Sequence, residues 1–356
     1  MNDKTIKVAI VGLGNCASSL IQGIEFYKNV DENSPSTVGL MSNSFGGYLV
    51  RDIKIVAAFD VNARKVGKDI SEAIFAEPNC TKKISDVPHV GVKVSAGPVL
   101  DGVAPHMRDE FPLVEKPDDV DDVLKKSGAE IIVSYLPVGS EEATIFWAER
   151  ALANKIAFIN AIPVFVSSDK EWSEKFKKAG IPCAGDDVKS QVGATIVHRM
   201  LARLIQDRGH SIDNTYQLNV GGNSDFLNMK DESRVVSKRI SKTEAVTSVL
   251  ESPDLDVKIG PSDFVEHLKD NKVCYINIKG RQFGIIPFEL DVKLSVEDSP
   301  NSAGVMVDAI RAIKIALDRG LSGYQDWSSY YFKHPLRQYR DEEAREVVEK
   351  FVADDK

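Results

Sequence analysis

A chain of 356 residues, 43% of them hydrophobic and 28% charged, has room for two domains and the composition of an ordinary globular protein. Its formal net charge of −8 disfavours nucleic acid and anionic membranes as partners, so any anionic ligand needs a local basic cluster. No apolar run approaches the roughly 20 residues of a membrane span, and the four cysteines show no CxxC spacing, so we expect a cytoplasmic protein with reduced thiols.

The first two hundred residues alternate short β-branched runs with amphipathic helices, which predicts βαβ units and a parallel sheet. Strands are predicted in IKVAIVGLG, DIKIVAAFDV, AEIIVSYLP, KIAFINAIP and GIPCAGDD. Residues 29–50 have turn composition, and we expect an insertion there. Ligands of open α/β sheets bind beyond the carboxyl ends of the strands, which nominates these polar residues as ligand neighbours: Asp60, Ser134, Asn160, Asp186 and Asp187.

The pattern changes after a long amphipathic helix that ends at Gly209. Alternating strands are predicted in NTYQLNVGGNSDF, KVCYINIKGRQF and IPFELDVKLSVED, and helices follow. The fold class is therefore predicted as α/β, a Rossmann-like doubly wound parallel sheet with a second, sheet-rich α+β domain. We expect a first domain over residues 1–209, a second, sheet-rich domain over 210–298, and a helical segment over 299–356 that packs back on the first domain.

A nucleotide-binding turn is predicted where the first strand meets the first helix. Gly12, Gly14 and Ala17 form G-x-G-x-x-A there, with Asn15 and Cys16 inside the motif. The first glycine makes the turn, the second admits a pyrophosphate, and the small third residue lets the helix pack on the strand. The helix N-terminus adds free N–H groups and positive potential.

Asp60 ends the second predicted strand, where a carboxylate can bind both ribose hydroxyls and repel a 2′-phosphate. This favours NAD over NADP. The spacing from the glycines exceeds the usual 20 or so residues by about the length of the predicted insertion. Arg64 and Lys65 follow closely, and we expect them to form surface ion pairs.

Two lysines in SKRISKTEAV, Lys238 and Lys242, lie four residues apart on one face of a predicted helix. Like charges at this spacing are unfavourable unless an anion lies between them or one lysine is neutral. A solvated basic helix face is the alternative.

A second anion site is predicted in GDDVKSQVGATIVHR, which begins at a strand end and opens a helix. A phosphorylated substrate is the expected occupant, with a lysine to balance its charge. The candidate residues are Ser190, Gln191 and the backbone from Gly193 to Thr195, with Lys242 or Lys189 to balance the charge, and Asp187 is a further candidate for substrate binding.

Six ordered blocks give the chain a family resemblance over nearly its whole length: GLGNCASSL, GDDVKSQVGAT, NVGGNSDF, SKRISK, VEDSPNSAG and YYFKHP. Together they resemble myo-inositol-1-phosphate synthase, in its shorter bacterial and archaeal form. The resemblance implies a homotetrameric enzyme that converts glucose 6-phosphate to an inositol phosphate, with NAD kept bound and recycled. It implies oxidation at C5, enolisation, cyclisation onto C1 and reduction.

The resemblance also implies roles for single residues. Lys238 and Lys333 are the candidates at the C5 oxygen, Lys242 at the phosphate, and Lys272 at the aldehyde oxygen. The pocket wall is assigned to Asn219, Asp225 and Asp298. A plain polar turn is the alternative for Asn219 to Asp225, and a helix cap for Asp298. No histidine pair has metal-ligand spacing, and His198 is expected to be structural; a cation held by oxygen atoms stays open.

Two other functions stay open on the nucleotide turn alone. A conventional NAD-dependent sugar or amino-acid dehydrogenase would form NADH in net amounts. A nucleotide sensor without catalysis would keep the fold but would not need lysines in three separate segments.

Overall fold

The computed structural model describes residues 4–108, 111–248 and 255–354. Its strands, in chain order, are β1 (Ile6–Val11), β2 (Ser44–Phe45), β3 (Tyr48–Leu49), β4 (Ile53–Asp60), β5 (Val94–Ala96), β6 (Ile131–Ser134), β7 (Ala157–Asn160), β8 (Pro182–Ala184), β9 (Ser211–Gly221), β10 (Asp256–Phe264), β11 (Asn271–Gln282), β12 (Ile286–Glu297) and β13 (Gly323–Tyr324). Its α-helices are α1 (Asn15–Phe26), α2 (Ile70–Ala73), α3 (Val120–Ser127), α4 (Glu141–Asn154), α5 (Lys170–Ala179), α6 (Ala194–Asp207), α7 (Ser224–Asn228), α8 (Val236–Thr247), α9 (Asp298–Asp318), α10 (Ser328–Tyr331) and α11 (Asp341–Ala353).

A parallel sheet of seven strands forms the first layer within the described residues, in the order β13-β8-β7-β6-β1-β4-β5. The five strands predicted for this region are all present. The edge strands β5 and β13 were missed, because three and two residues are too short to show a hydrophobic period. The predicted α/β class is confirmed.

The central strand β1 has apolar residues on both of its faces. Val8 and Ile10 belong to a core shared with α1 and α9, whereas Ala9 and Val11 belong to a second core with α3, α4 and α5. Helices therefore cover both faces of the parallel sheet, which is the reason its strands read as continuous apolar runs.

The second sheet has the order β10-β9-β11-β12, with β9 parallel to β10 and antiparallel to β11. The three strands predicted here are present. Strand β10 was missed because its sequence, DVKIGPSDF, contains glycine and proline. It lies at a sheet edge, and its register shifts between Ile259 and Ser262, where both residues can be accommodated.

Helix α6 lies inside the predicted first domain but packs on the second sheet. Ala194 and Ile205 of α6 share a core with Cys274, Ile276 and Ile278 of β11. Helix α8, which carries the SKRISK motif, packs against α6 and β10. The helix that opens at the second predicted anion site therefore packs on the second sheet, although it follows β8 of the parallel sheet in the chain.

Helix α9 returns the chain to the parallel sheet and is buried along most of its length. Its Arg311 is fully buried and donates hydrogen bonds to the carbonyl oxygens of Ser42, Asn43 and Tyr48, at 2.8 to 3.2 Å. These bonds fix the predicted insertion, which contains the β2–β3 hairpin. Over the described ranges, no helix combines the length and the apolarity of a membrane span.

Candidate active site

A cleft between the two sheets opens at the carboxyl ends of the parallel strands. It collects most of the residues that the sequence nominated. These are Gly12, Gly14, Asn15, Cys16, Asp60, Asp187, Ser190, Gly193, Thr195, Asn219, Asp225, Lys238, Lys242, Lys272, Asp298 and Lys333.

The glycine turn forms one end of the cleft. Gly12 has a φ of +86°, and a Cβ atom there would lie 2.7 Å from the carbonyl oxygen of Tyr135, so only glycine fits. Gly14 precedes α1, and no atom lies within 4 Å of the position where its Cβ would stand. Ala17 is buried in the core against β1 and has the packing role predicted for the third position.

Two side chains next to the turn connect it to other segments. The Asn15 Oδ1 atom accepts hydrogen bonds from the backbone N–H groups of Cys80 and Thr81, at 2.7 and 3.1 Å. Cys16 contacts the hydroxyl groups of Ser299 and Ser302 in the first turn of α9. Burial raises the pKa of the Cys16 thiol to about 12, so the thiol that lines the cleft is neutral.

Asp60 lies beside the turn with both carboxylate oxygens engaged. Oδ2 accepts from the N–H of Leu13 and Oδ1 from the N–H of Asn62, each at 2.8 Å. The expectation of surface ion pairs is wrong for Lys65, whose side chain is buried and lies 3.8 Å from Asp60. Arg64 is exposed, as expected.

The other end of the cleft holds four lysines that come from α8, β11 and the segment after α10. Three of them form ion pairs with carboxylates: Lys238 with Asp225 at 2.6 Å, Lys272 with Asp298 at 3.0 Å, and Lys333 with Asp187 at 2.7 Å.

Lys242 differs from the other three lysines. Its Nζ atom donates to the neutral hydroxyl of Ser262 at 3.3 Å, and no carboxylate lies within 4.0 Å of it among the described residues. Burial, and then the ammonium groups of Lys238, Lys272 and Lys333, lower the pKa of Lys242 well below its ordinary value. The cluster holds four lysines and three carboxylates, so an anion would complete it.

Lys272, Asp298 and Asp187 keep their charged forms although they are buried. Burial opposes the charge of Lys272, but Asp298 outweighs it and raises the pKa of this lysine. Burial also opposes the charge of Asp298 and Asp187, yet neighbouring lysines hold the pKa of both carboxyls below the usual value. Lys272 therefore remains an ammonium group at neutral pH and these two carboxylates remain ionised.

Asp187 connects the loop before α6 with α8 and with the segment that carries Lys333. Its carboxylate accepts from Lys333 and from the hydroxyl of Ser241, the latter at 2.6 Å. Its φ of +63° is unusual for a residue with a side chain, and the surrounding bonds hold it there. Ser241 lies between the two lysines of α8 and was not singled out from the sequence, although SKRISK contains it.

Helix α6 brings its N-terminus to the same cleft. Gly193 precedes the helix, and a Cβ atom there would approach the Cβ of Ser190 to 2.7 Å, so the close contact requires glycine. The first intrahelical hydrogen bond is donated by the N–H of Val197, so the N–H groups before it have no acceptor within the helix. Ser190 and Thr195 line the cleft beside them.

Three predicted cofactor residues lie outside the cleft, which corrects the expectation from the strand ends. Ser134, Asn160 and Asp186 are completely buried. Asp186 accepts hydrogen bonds from the side chain of Asn160 and from the backbone of residues 166–168, and burial raises its pKa to about 7. Asn160 and Asp186 hold the loop that covers the strand ends, whereas the buried Ser134 hydroxyl has no hydrogen-bond partner among the described residues. The cleft is lined instead by neighbours such as Tyr135 and Ile162.

Two predicted substrate residues also lie elsewhere. Lys189 is buried and donates to the carbonyl oxygen of Ser329 at 2.7 Å, and burial lowers its pKa to about 7. Gln191 donates to the carbonyl oxygen of Gly39 and lines a separate cavity beside α1 and α9. Both residues secure the loop before α6, and between residues 189 and 193 the cleft is lined by Ser190 and Gly193.

Asn219 is supported by a polar row behind the cleft wall. The Gln217 side chain donates to Asn219 at 3.1 Å, and His198 contacts Gln217 and Thr215. Burial lowers the pKa of His198 to about 4, so it is a neutral structural histidine, as the sequence indicated. Gln217 also lines the cleft and was missed, because a glutamine in an alternating strand carries no distinctive signal.

Asp270 was missed as well, although it lies two residues before Lys272. It is buried and accepts from Asn223 at 3.0 Å and from the Ser299 hydroxyl at 2.8 Å, and burial raises its pKa to about 6. Asn223 in turn caps α7, the helix that carries Asp225. Asp298 is the first residue of α9, but Glu297 holds the N-cap position without a side-chain cap bond, and the Asp298 carboxylate pairs with Lys272. The pocket interpretation of Asp298 therefore fits the structure, and the helix-cap alternative does not. Among the described residues, no group of three or more histidine, cysteine or acidic side chains could hold a metal ion.

Known proteins resemble this chain at the level of both sequence and structure. A family model described as myo-inositol-1-phosphate synthase matches residues 193–299. An inositol-3-phosphate synthase of Mycolicibacterium smegmatis is 54% identical over 355 residues, which cover 98% of this chain and 98% of that protein. The crystal structure of Ari2 has a TM-score of 0.80 at 35% identity, with 98% of each chain covered.

A more distant structure shares the fold. A myo-inositol-1-phosphate synthase-related protein from Thermotoga maritima has a TM-score of 0.79 at 24% identity, over 98% of both chains. The family resemblance that the six sequence blocks indicated is confirmed by the full-length relative. The chain therefore belongs to the myo-inositol-1-phosphate synthase family.

Proposed function

We propose that this protein is an inositol-3-phosphate synthase that converts D-glucose 6-phosphate to 1D-myo-inositol 3-phosphate, the compound also named 1L-myo-inositol 1-phosphate. The observation that carries the proposal is the meeting of four lysines and three carboxylates in the cleft that also contains the glycine turn. A dehydrogenase that passes hydride to an outside acceptor needs one acid–base group, whereas this reaction moves protons at several atoms.

NAD fits the residues at the glycine turn. Gly12 makes the close turn, the open space at Gly14 leaves room for a pyrophosphate, and Asp60 is positioned for ribose hydroxyls. When bound, NAD would accept hydride from C5 of the substrate and return it at the end of the cycle. We propose that it stays bound and is recycled, because the reaction has no net oxidation.

The phosphate of the substrate would bind between Lys242 and the N-terminus of α6. Lys242 is the lysine without a carboxylate partner among the described residues, and the helix supplies N–H groups and the positive end of its dipole. Ser190 and Thr195 offer hydroxyl groups in the same place. An anionic group there would also offset the excess positive charge of the cluster.

Lys238 and Lys333 would act at the C5 oxygen. One of these two amines would take the hydroxyl proton as general base while hydride leaves C5. Asp225 and Asp187 fix the positions of the two amines. The substrate phosphate is the candidate base for the C6 proton once C5 is a ketone.

Lys272 would act at the C1 aldehyde oxygen during ring closure. The pairing with Asp298 favours its ammonium form, which is the form that stabilises negative charge on that oxygen as the C6 carbon attacks. Asn219 and Asp225 would contact sugar hydroxyls along the wall of the cleft.

Product identification tests the proposal. Incubation with glucose 6-phosphate and NAD at a small fraction of the substrate should give many turnovers of inositol phosphate, identified by NMR. Formation that stops at one equivalent of NAD, with NADH accumulating, would favour the conventional dehydrogenase. Binding of NAD with no turnover of any sugar phosphate would favour the sensor.

We also propose a homotetramer that works in the cytoplasm. The tetramer is implied by the family resemblance, and the second sheet leaves large apolar side chains such as Tyr216, Tyr275 and Ile286 exposed. The compartment is supported by the free state of all four cysteines. Light scattering tests the tetramer, since an active monomer would contradict it.

A cation, if the reaction uses one, would be held by oxygen atoms. Activity measured after chelation and again after metal is added back tests whether the reaction requires a cation.

A further inference from the structure

Lys65 is a buried lysine at the cofactor end of the cleft that no step above uses. Only 3% of the Lys65 residue is exposed to solvent. The Nζ atom donates to the carbonyl oxygen of Leu13 at 2.8 Å and to Oδ1 of Asn79 at 3.0 Å. Leu13 is the residue between the two glycines of the turn, so Lys65 is attached directly to the loop expected to hold the cofactor.

Asp60 is the acidic partner of this lysine. Its Oδ2 atom lies 3.8 Å from Lys65 Nζ, and no other carboxylate is within 4.0 Å of that nitrogen among the described residues. A buried ammonium group is costly unless a charge or hydrogen bonds compensate it. Burial lowers the pKa of Lys65, and the Asp60 carboxylate acts in the opposite direction.

The neighbouring Arg64 has a different environment. Its residue is exposed, and its backbone N–H donates to the Asn62 side chain at 2.9 Å. Lys65 lines the cleft, whereas Arg64 does not belong to the lining. Two basic residues therefore follow Asp60 in sequence, and the buried one faces the carboxylate.

We propose that Lys65 is a specificity-determining residue that acts together with Asp60 on the adenosine ribose of the cofactor. With Asp60 present, Lys65 fixes the carboxylate and its charge is neutralised, so ribose hydroxyls are accepted and a 2′-phosphate is repelled. Without Asp60, the same ammonium group faces the cleft and becomes the partner of a 2′-phosphate. The inference rests on the NAD binding proposed above.

The test is a set of binding measurements by calorimetry with NAD and with NADP. The proteins are the wild type, Asp60→Ser, Lys65→Gln, the Asp60→Ser/Lys65→Gln double variant and the matched Asp60→Ser/Arg64→Gln variant. Glutamine at position 65 removes the charge but keeps a hydrogen-bond donor for Leu13. Thermal melting and circular dichroism confirm that each variant is folded, and Lys65→Met is the second choice if Lys65→Gln is not.

Asp60→Ser should bind NADP at least about tenfold more tightly than the wild type, the scale of one charge-assisted contact. The Lys65→Gln change should remove most of that gain, and the Arg64→Gln change should leave it in place. In the Asp60 background, Lys65→Gln should weaken NAD binding without improving NADP binding.

Three results would overturn the inference: Asp60→Ser without a gain for NADP, a gain that survives Lys65→Gln, or a gain that Arg64→Gln removes. In these cases the wild type still binds NAD, so the proposed function stands. A folded wild type that binds neither nucleotide contradicts the proposed function and this inference together.

Discussion

The two ends of the cleft are built in different ways. The glycine turn is one continuous segment between β1 and α1, and it is supported by contacts with Asp60, Lys65, residues 79–81 and the start of α9. The lysine cluster is assembled from α8, β11, α9 and the segment around Lys333, which are far apart in the chain and joined by ion pairs. The first end depends on local backbone geometry, and the second depends on the balance of buried charges.

This difference indicates that the two ends have separate functions, which mutations can distinguish. Changes at the turn should alter nucleotide binding and leave the charge balance of the lysines intact. Changes in the cluster should alter proton transfer or phosphate binding and leave nucleotide binding intact. The following predictions are ordered from the largest expected effect to the smallest.

The largest effect is expected for Lys238→Ala. Loss of a proton-transfer group costs about 10²–10⁴ in kcat, while the glycine turn, which Lys238 does not contact, should keep its affinity for NAD. Single-turnover measurement of nicotinamide absorbance with glucose 6-phosphate should show almost no change. Arg239→Ala is the matched control, because Arg239 is the next residue of α8 and is exposed. Reduction of NAD at a near-normal rate in Lys238→Ala would show that Lys238 takes no part in the proton transfer.

Lys242→Ala should act mainly on substrate binding. Loss of one charge-assisted contact with a phosphate weakens binding by roughly 1.5–3 kcal/mol, so KM should rise by about tenfold to a hundredfold. Thr247→Ala on the exposed end of α8 serves as the control. An unchanged KM in Lys242→Ala, with inorganic phosphate inhibiting it as strongly as the wild type, would place the phosphate elsewhere.

Asp60→Ala should weaken NAD binding by about tenfold and relax discrimination against NADP, because the carboxylate is the proposed partner of the ribose hydroxyls. The lysine cluster lies at the other end of the cleft, so KM for glucose 6-phosphate at saturating NAD should change little. Equal binding of both nucleotides by Asp60→Ala and the wild type would remove Asp60 from the site.

The smallest effect is expected in the pH profile. Lys242 carries its charge only below its lowered pKa, so the contact with phosphate is complete at lower pH and is lost as pH rises through that value. The value of kcat/KM should therefore fall several-fold at an alkaline pH where an ordinary lysine is still charged. Lys242→Arg, which keeps its charge, should show a flatter alkaline limb. An identical limb in both proteins would contradict this assignment.

The sequence was most informative where local chemistry decides the structure. The glycine turn, the apolar strands β1, β4, β6, β7 and β8, and the i, i+4 spacing of Lys238 and Lys242 are local features, and all lie where they were predicted. The lysines from other segments were nominated through the family resemblance, since no spacing rule connects Lys272 or Lys333 with α8.

The errors arose where tertiary contacts decide. Ser134, Asn160 and Asp186 follow the rule for strand ends, but a loop covers those ends, and it uses the side chains of Asn160 and Asp186 for its own hydrogen bonds while Ser134 is simply buried. Lys65 follows an exposed arginine and has the sequence of a surface residue, yet the turn supplies a carbonyl and Asp60 supplies a charge that allow its burial. Strand β10 contains glycine and proline, which its edge position and its register shift allow.

The central claim is that both ends of the cleft serve one redox-neutral cycle on one substrate. Glucose 6-phosphate with deuterium at C5 tests it most directly, with unlabelled NAD at a small fraction of the substrate and mass spectrometry and NMR of the product. The account predicts inositol phosphate that keeps the deuterium on the carbon that was C5, with no labelled NADH accumulating in solution. Product without the label, or labelled NADH formed in proportion to the substrate consumed, would contradict the account.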